Sequence, residues 1–138
     1  MALATIQDTL FDRFKDQLAL SAYSALPVSY PNLKFTPPSN SEWLRVQLEP
    51  ADSHTASLSA GMQRFRSVGL LVIGVFIPVG ESNADALAIA DAIAAFYRGA
   101  TLSGLSLQAP SISRVGSAQG FYQYNVIVPY RYDDLVTV

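Results

Sequence analysis

A chain of 138 residues is long enough to bury one core unaided, and with no cysteine it has neither a disulfide framework nor a cysteine-ligated zinc site. Its 9 Lys and Arg against 11 Asp and Glu leave a net charge of −2, which gives no electrostatic ground for strong binding to nucleic acid or to an anionic membrane. Only 14% of the residues are charged, against roughly 25% in an average soluble domain, so either another subunit covers part of the surface or an Ala-rich core is wrapped in neutral Ser, Thr and Gln.

Thr5, Ile6, Gln7 and Asp8 match a capping box, which predicts a helix start there. Ile6, Leu10, Phe14 and Leu18 then recur every fourth residue, with Asp8, Asp12, Lys15 and Asp16 mostly on other faces, as in an amphipathic helix. Its end is expected near Ala22 or Tyr23, because Pro27 disfavours helical geometry at the residue before it. The same charges break up the apolar run that an export signal needs, and Pro78 to Asp85 interrupts the one stretch that approaches a membrane span.

Between Leu26 and Phe35 two prolines bracket a short extended piece, and Thr36 to Ser41 has the composition of a turn. Trp43 to Leu48 alternates, with Leu44, Val46 and Leu48 on one side and Trp43, Arg45 and Gln47 on the other, the pattern of a half-buried strand. Pro50 to Gly61 is small, polar and turn-prone, so it is expected to be a long hairpin loop, mobile in an isolated subunit and either functional or disordered.

Arg64 to Pro78 is the stretch around which the chain is organised. Nearly every residue from Val68 to Ile77 is apolar and many are β-branched, which suits a central strand buried on both faces. Gly69 and Gly74 weaken the competing helix, and Pro78 with Gly80 ends the run at strand length. Ser82 to Asp85 repeats the capping logic, Gly99 supplies a left-handed stop, and Leu87, Ile89, Ala90, Ile93, Phe96 and Tyr97 form the apolar stripe of a second helix.

Leu105 to Val115 is strand-like but interrupted by Pro110, hence bulged or marginal. Phe121 to Tyr132 puts Tyr122, Tyr124, Val126, Val128, Tyr130 and Tyr132 on one face, and a turn at Ser117 to Gly120 pairs this last strand with its predecessor. Pro129 cannot donate to a ladder, which places that end at an edge or bulge. The expected architecture is a single α+β domain over residues 1–138: two helices on a mixed or antiparallel sheet of about four to five strands, in the order α-β-β-β-α-β-β.

Little in the chain carries chemistry. His54 is the single histidine, with Asp52 as its one nearby co-ligand, which is short of the several converging ligands a metal needs. Asp133 and Asp134 lack a neighbour to tune them and read as a solvated tail end. There is no Gly-x-Ser-x-Gly elbow, Walker pattern or dinucleotide fingerprint, and the glycines of residues 99–104 follow a helix instead of opening one. Arg64 and Arg66 alternate on one side of their strand, with Arg45 expected across from them; they suit either a phosphate or acidic partner or a plain solvated strand end.

Taken together, the helix from Ile6 to Leu18, the Tyr30, Pro31, Asn32, Leu33, Lys34, Phe35 segment, the Trp43, Leu44, Arg45, Val46 strand, the Gly69 to Pro78 strand with Phe76 and Ile77 near its end, the Ala84 to Phe96 helix and the Tyr124 to Tyr132 strand resemble small phage and prophage proteins related to siphophage tail terminators. The resemblance covers nearly the whole chain. It implies a non-enzymatic virion protein without cofactor or metal, assembled in the host bacterial cytoplasm, with no membrane partner. In such families six copies form a ring on the head-proximal end of the tail tube, stop its polymerisation and present a surface to the head connector, while DNA passes through without sequence-specific binding. On that reading the 50–63 hairpin, with Asp52, His54, Leu58 and Met62, is expected to order against the tube or a neighbouring subunit, and Arg64, Arg66, Arg98, Asp133 and Asp134 are candidate ring contacts. Two other readings stay open: a different head-tail neck or closure protein, and a small-ligand binder or hydrolase, which would need convergent titratable groups.

Overall fold

The computed structural model describes residues 3–59, 62–102 and 104–137. Two helices and six strands follow in the order α1 (Leu3–Leu20), β1 (Val28–Ser29), β2 (Trp43–Ser59), β3 (Met62–Pro78), α2 (Asn83–Tyr97), β4 (Ser106–Leu107), β5 (Ser111–Ala118) and β6 (Phe121–Thr137). They make an α+β fold around one mixed sheet, in which β1, β2, β3 and β6 are successive neighbours and both β4 and β5 pair the outer side of β6. The strand count exceeds the expected four to five because β1 and β4 are only two residues long.

The run that looked central in the sequence is central. β3 lies between β2 and β6, and every residue from Leu71 to Pro78 is buried, which is why an alternating pattern is missing there. Leu71, Ile73, Val75 and Ile77 share one core with Ile6, Leu10 and Phe14 of α1 and with Ile89, Ile93 and Tyr97 of α2. Two side chains tie the helices together: the Tyr97 hydroxyl donates to the Leu10 carbonyl at 2.8 Å, and Arg13 Nε donates to the Phe96 carbonyl at 2.9 Å. No helix among the described residues is long and apolar enough to cross a membrane.

The second helix starts and stops where its local signals put it. The Ser82 hydroxyl accepts from the Ala84 amide at 3.2 Å, and Gly99, with φ 70, turns the chain beyond Arg98. The first helix differs at both ends. Thr5 lies inside α1, where its carbonyl accepts from the Thr9 hydroxyl at 2.8 Å, because Leu3 and Ala4 are good helix formers that carry the register upstream. At the other end Ser21 uses both its amide (3.1 Å) and its hydroxyl (2.8 Å) on the Leu18 carbonyl, closing the helix before Ala22.

The larger correction concerns residues 50–59. They do not form the expected loop: β2 continues to Ser59 and β3 begins at Met62, with register shifts between Pro50 and Ser53 and between Thr55 and Ser57. The cause lies elsewhere in the chain, because β6 runs on to Thr137 and pairs β3 without a break from Met62↔Thr137 to Pro78↔Phe121. With β3 held on that side, the small polar residues opposite it add a third strand, and the irregularities absorb Pro50, which has no N–H to give.

Pro129 sits inside β6 and not at an edge, since Leu70 pairs it on the β3 side. Its carbonyl accepts from the Gln108 amide at 3.0 Å, so its nitrogen faces the same outer side, where the neighbouring strand is broken between Leu107 and Ser111. The β5–β6 hairpin closes through Gln119 and Gly120, both at positive φ (54 and 84), the two-residue geometry whose twist matches the strands.

Candidate functional site

Both helices pack on one face of the sheet, and among the described residues no helix covers the opposite face. At one end of that face an aromatic cluster supplies local cover. Trp43 stacks on Phe76, with centroids 3.9 Å apart and rings 6° from parallel, and meets Phe121 edge-on at 5.8 Å. Phe35 leans on Trp43 at 5.2 Å, and the Arg45 guanidinium stands 5.0 Å from the Phe76 ring centre. Trp43 is only 7% exposed, yet its indole N–H has no acceptor among the described residues. Such an orphaned donor costs about 1–3 kcal/mol.

The far end is ionic. Arg66 and Asp133, opposite one another on β3 and β6, form a two-point pair: Nε donates to Oδ1 at 2.8 Å and Nη2 to Oδ2 at 3.2 Å. The hydrogen bond from Arg66 holds the Asp133 carboxyl below its ordinary range, and the nearby charges of Arg131 and Arg64 lower it further. The same bond raises the Arg66 guanidinium. The side chains are 30% and 27% exposed, so the pair orients its partners more than it stabilises the fold.

Of the residues singled out in the sequence, the fold brings Arg64, Arg66 and Asp133 to this one face. Asp134 pairs Phe65 on the next row and therefore belongs to the opposite face, while Arg98 caps α2 in the helical layer. Arg45 is not across from Arg64 and Arg66; it pairs Gly74, because the extra strand residues of the hairpin put His54 opposite Arg66 and Ser57 opposite Arg64. The backbones of Leu58 and Met62 face Gln63 and Ser59, and Asp52 falls in the first register shift. The side chains of Asp52, His54, Leu58 and Met62 lie outside the described residues.

Arg131 and the buried Trp43 N–H escaped the sequence reading. The signal for Arg131 was the alternation of the last strand, which continues past Tyr132 and puts Arg131 with Asp133. Nothing local could have shown that Trp43 lacks an acceptor.

Other features are chemically quiet. A surface pocket of about 220 Å³ beside the start of α1, lined by Leu3, Ile6, Pro50, Ala51, Ser67, Val68 and Tyr130, brings no acid and base together. Carboxylates of Glu42, Glu81 and Asp85 come within 4.8 Å of one another beside the N-terminal turn of α2, whose positive end eases their repulsion. The open sheet face thus carries guanidinium groups at one end and aromatic rings at the other.

A family model described as phage tail terminator protein matches residues 5–130. One solved structure superposes with a TM-score of 0.68 over 95% of this chain and 95% of its own, at 23% sequence identity, which shows a shared fold. No curated protein matches the sequence.

Proposed function

Because the chain belongs to the phage tail terminator family, a family of structural proteins, we propose that it caps the head-proximal end of the tail tube and ends tube growth. Copies of the chain, six in the expected arrangement, assemble as a ring on the last tube ring. The outer face of that ring no longer matches the tube subunit and is offered instead to the head connector, while the central opening passes DNA.

One observation carries this reading: the family match, which embraces both helices and the sheet as far as Tyr130. The physics of the fold supports it. Ending a polymer requires a surface that fits the growing end and another that does not repeat it, and neither requires bond chemistry. A sheet with helices on one side only has a broad face left for such contacts.

The test is deletion of the gene from its phage. The expected result is tails of abnormal length that fail to join heads. Tails of normal length that still join heads would refute the proposal. Adding the purified chain to isolated tubes and, separately, to isolated connectors distinguishes a cap on the tube from a neck protein seated on the connector.

A further inference from the structure

A row of carboxylates runs along α1 and a row of guanidinium groups lies at one end of the open sheet face, and we infer that this arginine end receives the carboxylate row of α1 from a neighbouring copy. The inference rests on the reading that the chain assembles with copies of itself. Asp8, Asp12 and Asp16 stand four residues apart on α1 and are all exposed, so they form one line along the helix. Like charges at that spacing repel and weaken a helix. The nearby cations of α1 are engaged elsewhere: Arg13 on the Phe96 carbonyl at 2.9 Å, and Lys15 over the Tyr30 ring at 5.1 Å.

On the sheet, Arg131, Arg66 and Arg64 occupy three successive rows of the same face, marked by the pairs Val68↔Arg131, Arg66↔Asp133 and Arg64↔Leu135. Two row steps span about 14 Å, at about 7 Å each. From Asp8 to Asp16 is about 12 Å along the helix, at about 6 Å per step. The two rows therefore match in length and in spacing. Asp133 uses two of the guanidinium donors of Arg66 and sets its plane, leaving others for a second carboxylate.

The row cannot meet the arginines of its own chain, because α1 packs on the other side of the sheet, with Ile6, Leu10 and Phe14 against Leu71 and Ile73. The partner is a second copy. Each copy offers the two surfaces on opposite layers, so the contact passes head to tail, the arrangement that closes into rings. Duplex DNA fits this face less well, since Asp133 stands among the arginines and the helix row would be left unanswered.

The test uses two full-length variants. One carries Asp8→Lys, Asp12→Lys and Asp16→Lys; the other carries Arg64→Glu and Arg131→Glu and keeps Arg66 with its partner Asp133. Circular dichroism melting checks that each folds, and the pair Asp12→Lys and Arg131→Glu replaces any variant that does not. Assembly is read by native mass spectrometry and by electron microscopy of purified tail tubes mixed with the chain, so a ring that closes only on a tube is still seen. Each variant alone should associate at least ~10-fold more weakly than the wild type, and an equimolar mixture should recover wild-type assembly, because alternating copies restore opposite charges at every contact. The inference is overturned if the variants assemble like the wild type or if the mixture does no better than its components. Retained assembly with loss of salt-sensitive duplex DNA binding in the Arg→Glu variant also overturns it and gives the face to nucleic acid. A wild-type chain that assembles neither alone nor on tubes defeats the broader proposal as well, whereas unaltered variant rings defeat only this interface.

Discussion

Gly69→Ala should destabilise the fold more than Gly74→Ala, although both glycines lie in the same buried strand. At Gly69 an added Cβ would stand 2.6 Å from Tyr130 Cζ and 2.7 Å from the Glu49 carbonyl oxygen, besides overlapping the Tyr130 hydroxyl. Relaxed carbon contacts are about 3.5–4.0 Å, so the deficit is about 1 Å. Neither neighbour can yield that much: Tyr130 is 3% exposed within the core, and the Glu49 oxygen belongs to the backbone of the adjoining strand. Overpacking of this kind costs about 1–3 kcal/mol. Removing the glycine's freedom in the unfolded chain returns about 0.4–1 kcal/mol.

The net loss is then about 1–2 kcal/mol, or a fall in Tm of roughly 3–7 °C at the usual entropy of unfolding per residue. At Gly74 the nearest atoms are Phe76 Cε2 at 2.9 Å and Gln123 Nε2 at 3.2 Å, a smaller overlap than at Gly69 and with no backbone atom in it, so Gly74→Ala should cost about 1 kcal/mol, less than Gly69→Ala. Thermal unfolding followed by circular dichroism and by the fluorescence of Trp43, the single tryptophan, reads both variants. A Gly69→Ala protein as stable as the wild type, or a Gly74→Ala protein that is the weaker of the two, would refute the steric account. Adding Tyr130→Phe to Gly69→Ala should rescue only part of the loss, because the Glu49 oxygen and the ring remain.

Three further predictions follow from the hydrogen bonds and turns. Tyr97→Phe removes the bond from α2 to the Leu10 carbonyl and should cost about 0.5–1.5 kcal/mol in urea denaturation at neutral pH. Burial pushes the Tyr97 phenol well above the ordinary tyrosine value of 10.0, so the wild type should keep its full stability below about pH 10 and lose it as the unfolded chain ionises above that, while Tyr97→Phe loses less; parallel curves would contradict this. Asp133 has the opposite sign: its carboxyl is lowered by Arg66, so its contribution is present above the unfolded value of 3.8 and disappears as pH falls through the folded one, and Asp133→Asn should flatten the acid limb of a urea-midpoint profile most visibly at low salt. Gln119→Asn places a residue tolerant of positive φ in the tight β5–β6 turn and should raise stability by about 0.5 kcal/mol, with a lowered Tm counting against the turn assignment.

What the sequence determined by itself is whatever depends on neighbours in the chain. The apolar fourth-residue spacing of α1, the Ser82 cap and Gly99 stop of α2, the β-branched run of β3 and the tyrosine alternation of β6 all express contacts within a few residues or one fixed period, and they sufficed for an α+β fold with two helices on a mixed sheet. Residues 50–59 carry no strand signal of their own because they are small and polar; they become strand when β3 is held by β6 and presents a ladder to join. The candidate site was legible only in part for the same reason. Arg64 and Arg66 alternate visibly, but Arg66 meets Asp133 67 residues further on, and Arg131 joins them only through the register of β3 with β6. That all three arginines share the face without helices, while the carboxylates of α1 lie on the other, was decided by tertiary structure alone, since which side of a sheet the helices cover is set by the whole core and not by any segment of it.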